Sequence, residues 1–246
     1  KKFKIYLFLF FFFVVVSTTM YENNDIVQQC NGIQLTDYPK VPKVGIIVHG
    51  CNLGAKEWER IVWGDALTNR LGRVPKAALV ALQQNASIIA FGTGASERDG
   101  LLESEYTKKL FVDNIKNFKK FSAFSNFDQS EIDDLEALCV TELKSMNTKT
   151  ELLEIGKIMI ENDIDKVILI SSSTHISRCL RDALIVFEQQ YKLHIKRGEE
   201  DVAIHWLKLL RNTAAEPSDT PYANSDVSMV QIFEPPHRGD AMPPFF

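Results

Sequence analysis

An α/β fold, with a mostly parallel central sheet covered by helices on both faces, is what the pattern of apolar runs predicts. Three observations carry the prediction. Val44 to Val48, Ser87 to Phe91 and Val167 to Ser171 are short, nearly continuous apolar runs that lead into glycine or serine turns, as strands do when neither face meets water. Each is followed by a segment with helical spacing of its apolar residues. The polar residues suited to chemistry collect where those runs end, and open parallel sheets hold ligands at the C-terminal ends of their strands.

Composition narrows the function. The 246 residues are 45% hydrophobic, enough for one sizeable core. A net charge of −4 speaks against a nucleic-acid surface, which needs clustered Lys and Arg to neutralise phosphates. The basic cluster from Lys108 and Lys109 to Lys119 and Lys120 reads as a solvated helix face. At the N-terminus Lys1, Lys2 and Lys4 precede the apolar run Ile5 to Val16 and then Ser17 to Thr19. That is the order of a secretory signal, and the run is short of the ~20 residues that span a bilayer. Residues 1–20 are therefore expected to be a signal peptide or N-terminal anchor, 21–42 a polar lead-in, and 43–246 one domain. A secretory or extracytoplasmic location follows, with membrane association where the leader is retained. Cys30, Cys51, Cys139 and Cys179 show neither CxxC nor zinc-finger spacing, and Cys179 falls on an apolar helix stripe that marks it as core.

Taken in order, the first strand, Val44 to Val48, ends in His49 and Gly50, with Asn52 just beyond. Arg60, Arg70 and Arg73 follow in a helical region, and Pro75 opens a helix at Lys76 to Gln84, a position that tolerates proline. Trp58 and Trp63 read as packing residues. The second strand runs into Gly92-Thr93-Gly94, a turn whose backbone N–H groups can approach an anion. A helix begins near Leu102 and carries Glu103 and Glu105. From 113 to 138 the pattern loosens into a Phe-rich helical insertion expected to overhang the site. Cys139 to Thr141 reads as a brief third strand, and Ser145, Asn147 and Thr148 follow it. Thr148 to Glu151 matches a capping box. Val167 to Ser171 then enters a serine-rich turn, including Ser173, and a helix whose stripe runs Ile176, Cys179, Leu180, Ala183, Leu184 and Phe187. His175, Arg178 and Asp182 lie off that stripe. A strand end meeting a helix N-terminus gathers unpaired N–H groups and a favourable dipole at one spot. Val202 to Leu210 reads as a fifth strand, Pro217 to Tyr222 as a loop, and Val227 to Phe233 as a last strand. The turn Glu234-Pro235-Pro236-His237-Arg238-Gly239-Asp240 then displays His237 and Arg238 between prolines and glycine.

The order of these motifs resembles the YdcF/SanA/ElyC-like family of bacterial domains. Gly50, Arg73, Gly92 to Gly94, Glu103 to Glu105, Ser145-Met146-Asn147-Thr148 and the pair His175 and Arg178 carry the resemblance, over roughly residues 43 to 190. It implies a Rossmann-like three-layer sandwich, S-adenosylmethionine binding in one branch, and envelope roles in membrane-anchored members. The expected function is binding of an anionic small molecule, such as a nucleotide, an adenosyl compound or a phosphorylated envelope precursor, with transfer or hydrolysis as its chemistry. Gly50, Asn52, Arg73, Gly92, Thr93, Gly94, Ser145, Asn147, Thr148, Ser173, Arg178 and Arg238 are the expected binding residues. Glu105 would hold a hydroxyl, and His175 or His237 would serve as acid or base. One alternative is a metal-assisted hydrolase built on His49, His175, His237, Glu234 and Asp240; another is a non-catalytic extracytoplasmic binding or scaffold module.

Overall fold

The computed structural model describes residues 41–221. Five strands form the central sheet: β1 (Val44–Val48), β2 (Ile88–Gly92), β3 (Cys139–Glu142), β4 (Lys166–Ser172) and β5 (Thr213–Ser218). Their order is β3-β2-β1-β4-β5 and every neighbouring pair is parallel. The helices are α1 (Trp58–Val62), α2 (Arg73–Gln84), α3 (Glu103–Asp113), α4 (Gln129–Asp134), α5 (Thr148–Glu161), α6 (Ile176–Lys196) and α7 (Glu200–Arg211). This is the expected three-layer α/β sandwich of Rossmann-like type. No helix among the described residues is long and apolar enough to cross a membrane.

The sheet divides the core in two because successive strand residues point to opposite faces. Ile46 and Val48 of β1, Ile89 and Phe91 of β2 and Ile168 and Ile170 of β4 pack with α2, Phe111 of α3 and the Phe-rich segment. Ile47, Ala90, Val167 and Leu169 pack with α5, α6 and α7 on the other side. Both halves of each strand are apolar for that reason, which is why the runs look continuous in sequence.

Several expectations need correction. Val202 to Leu210 is helical: Ala203, Trp206 and Leu209 are its buried residues, a three-residue spacing that apolar neighbours had disguised as alternation. The fifth strand is instead β5, which includes Pro217. A proline without an N–H is tolerated there because β5 forms one edge of the sheet. Residues 113–138 form short 3-10 turns and α4, and Phe118, Phe121 and Phe124 are fully buried in the core. Trp63 stacks on Phe118 with ring centroids 5.2 Å apart. The basic cluster there is partly engaged, since Lys108 Nζ donates to the Cys139 carbonyl at 2.8 Å and Lys119 Nζ donates to that of Phe127. Asn147, not Thr148, is the N-cap of α5. Asp182, expected off the buried stripe of α6, is buried and its carboxylate meets Arg181 at 2.9 Å. The leader and lead-in through residue 40, the expected strand Val227 to Phe233 and the turn bearing His237 and Arg238 lie outside the described residues.

Candidate functional site

The strand order reverses between β1 and β4: the chain moves outward from β1 through β2 to β3, then returns to lay β4 against the opposite side of β1. Sheets of this kind leave a crevice at that reversal, beyond the strands' C-terminal ends. His49 and Gly50 follow β1 there, and Ser173 to His175 follow β4. His49 N donates to the Ile170 carbonyl at 3.0 Å, extending the pairing of the two strands to the rim. Alternation sends His49 toward the α5 and α6 face and Gly50 toward the α2 and α3 face, so one peptide serves two polar wells.

The first well holds His49, Glu151, His175 and Cys179. His49 Nδ1 lies 3.1 Å from Glu151 Oε2, and Glu151 Oε1 accepts from Gly50 N at 3.1 Å. Glu151 stands in the first turn of α5, where the helix dipole favours a carboxylate. The Asn147 side chain fixes that turn by accepting from Lys149 N and Thr150 N at 3.1 Å each. Gly92 makes room for the carboxylate, since a Cβ there would collide with Glu151 Oε1. From the β4 side, His175 Nδ1 lies 3.1 Å from Ser171 Oγ and 3.4 Å from Cys179 Sγ. The His49 and His175 rings meet edge to face at 6.5 Å. His49 Nε2 is buried, and the ring interacts with the Cys179 sulfur by charge and by a side-chain hydrogen bond.

The electrostatics of this well are unusual for so buried a place. Burial pushes the His49 imidazole down, but the charges of the Cys179 sulfur and the Glu151 carboxylate outweigh it and hold the group at about 10. Burial pushes the Cys179 thiol up, yet the charge of His49 and a hydrogen bond from His175 pull it down to about 6. Both shifts favour a thiolate–imidazolium pair braced by Glu151. Thiolate is the nucleophilic form of cysteine.

The second well lies across the sheet. Arg73, the first residue of α2, is 1% exposed. Its guanidinium donates to the carbonyls of His49 at 2.8 Å and of Gly50, and to Ser172 Oγ at 3.0 Å, cross-linking the ends of β1 and β4. Glu103 is also 1% exposed. Ser96 Oγ donates to its Oε2 at 2.5 Å, while Oε1 is buried without a hydrogen-bond partner. Burial pushes this carboxyl up, Ser96 opposes the rise, Glu151 adds to it and Arg73 opposes it, with a net upward result. A Cβ on Gly50 would strike both Glu103 Oε1 and Thr93, so the glycine lets the strand end pass close to the carboxylate.

The structure brings Gly50, Arg73, Gly92, Thr93, His175, Ser173 and Arg178 to strand ends or to the turns beyond them. Arg178 is exposed and sits 3.7 Å from Asp182. Other expected residues have structural duties. Glu105 Oε2 accepts from Leu102 N at 2.9 Å and so caps α3; Glu103 is the carboxylate that faces Gly50. Ser145 Oγ lies between Glu142 Oε2 at 2.5 Å and Thr93 Oγ1 at 2.8 Å. Its carbonyl accepts from Gly94 N at 3.0 Å. Asn52 Oδ1 accepts from Gly54 N at 2.8 Å in a local turn, and Thr148 opens α5. Sequence reasoning did not single out Cys179 or Glu151, and of the acidic pair on α3 it chose Glu105 over Glu103. Cys179 is four positions after His175, on the same helix face, a spacing visible in the sequence but assigned to packing. Among the described residues, no group of three or more His, Cys, Asp or Glu side chains is arranged to hold a metal ion. No family model matches the chain, and neither does any curated protein or solved structure.

Proposed function

We propose that this chain binds an anionic small molecule, of the class of nucleotides, adenosyl compounds or phosphorylated envelope precursors, in the crevice between β1 and β4. The observation that carries the proposal is the meeting of cationic and dipolar groups where the strand order reverses. Arg73 ties the two strand ends together on one face of the sheet, the His49 imidazole on the other face is held well above its ordinary pKa, and Arg178 is exposed in the first turn of the long helix α6. A phosphate or carboxylate placed there meets a helix N-terminus and a guanidinium together. The resemblance to the YdcF/SanA/ElyC-like family points the same way, as does the expected leader, which would place this crevice outside the cytoplasm.

A thermal-shift screen tests this, with nucleotides, S-adenosylmethionine and sugar phosphates as probes on the wild type and Arg178→Ala. A probe at a hundred times its dissociation constant stabilises by about 2.7 kcal/mol. The expected outcome is a shift by one class that shrinks in the variant. Equal shifts in both proteins, or none in either, would remove the crevice as an anion site.

A further inference from the structure

The Glu151, His49 and Cys179 arrangement has the order of parts found in acyl-transfer enzymes: a carboxylate that orients an imidazole, and an imidazole that serves a nucleophile. Glu151 engages Nδ1 of His49 at 3.1 Å, which leaves Nε2 as the working nitrogen. That atom is buried, in a ring that is 2% exposed, and the ring interacts with the Cys179 sulfur by charge and by a side-chain hydrogen bond. His175 lies against the same sulfur at 3.4 Å. We propose that Cys179, His49 and Glu151 form a nucleophile relay for acyl transfer, acting on a carboxylic ester or thioester of an anionic molecule. The proposal rests on the crevice between β1 and β4 being the ligand site.

The step balances without a further reactant besides water. The Cys179 thiolate attacks the carbonyl carbon and a C–S bond forms. The bond to the leaving alcohol or thiol breaks, and that group takes the proton from His49 Nε2. Neutral His49 then accepts a proton from water as hydroxide adds to the acyl carbon. The C–S bond breaks, thiolate and imidazolium are restored, and the carboxylic acid ionises into solvent. A disulfide-forming redox cycle is less well served here. The other described cysteines, Cys51 and Cys139, belong to the apolar cluster on the opposite face of the sheet from Cys179. Cys179 is fully covered, so the ester reaches it when the half-buried turn Ser173 to His175 moves aside.

Cys51 and Cys139 supply internal controls, because burial holds the first thiol up and pushes the second up to about 12. The experiment treats the full chain with mono-nitrophenyl succinate, an anionic ester, and maps succinyl adducts by peptide mass spectrometry. The expected result is an adduct on Cys179, absent from Cys51 and Cys139, whose rate of formation rises through about pH 6. In His49→Gln the rate drops by about 10²–10⁴-fold. Where that variant does not fold, the wild-type pH profile decides alone. No adduct on Cys179, or labelling of all three cysteines at one rate, overturns the relay. The anion-binding proposal is read separately from the wild-type thermal shift: a shift without an adduct sinks only the relay, and an adduct without a shift sinks the anion site and with it the anionic substrate of the relay.

Discussion

His49 and Cys179 move pH sensitivity in opposite directions. His49 is raised from an ordinary 6.5 to about 10, so its contribution to stability is full below pH 6.5 and is lost as pH rises toward 10. Cys179 is lowered from 9.0 to about 6, so its contribution is present above pH 9 and is lost as pH falls toward 6. Between pH 6.5 and 9 the folded chain carries the proton on His49 and the unfolded chain carries it on Cys179. Proton counts match and the slopes cancel. This pair therefore adds no net slope to the unfolding free energy across that window and a downward one above pH 9. Cys179→Ser removes both the thiolate and the largest influence that raises His49, so the fall in stability above pH 9 should shrink relative to the wild type; urea unfolding at stepped pH reads this directly, and an undiminished fall would refute it. Glu151→Gln leaves a buried imidazolium without its brace and should cost about 3–5 kcal/mol, measurable in the same titration. These residues were hard to read from sequence because each has a bland explanation: Glu151 completed an apparent capping box and Cys179 sat on an apolar stripe. What joins them is strand parity at His49, which depends on which residue ends β1.

Elements place these groups through their ends. The first turn of α5 delivers Glu151, and Asn147 holds that turn. Asn147→Ala should cost about 1 kcal/mol by thermal melt, and it should also loosen Glu151, so that Cys179 alkylation shifts to higher pH. Gly92→Ala is a sharper probe of the same approach, since its Cβ would occupy the position of Glu151 Oε1. Moving the carboxylate or the strand should cost about 1–3 kcal/mol and displace His49. Helix packing depends on another glycine: a Cβ on Gly156 of α5 would come within 2.5 Å of the Trp206 ring of α7. Gly156→Leu should thus lower the urea midpoint. The strands β1, β2 and β4 were legible because both faces are apolar, and α6 because its stripe is long. α7 was not legible, since Val202, Ile204 and Leu207 interleave with its buried residues and mimic a strand.

At the scale of the whole molecule the order β3-β2-β1-β4-β5 puts the polar wells where two halves of the sheet diverge. The parallel α/β class was readable from strand–helix alternation; the reversal point was not, because nothing local in β4 states which side of β1 it joins. The sheet rim at His49 and Gly50 also has a thermodynamic meaning. Glu151 on one face helps to hold the Glu103 carboxyl up on the other by its charge acting across the sheet rim. A change of charge at Glu151 therefore changes proton affinity at Glu103, and by reciprocity the reverse holds to the same degree. The layer that separates the two helix shells thus also transmits charge between them, so that Glu151→Gln would lower the proton affinity of Glu103.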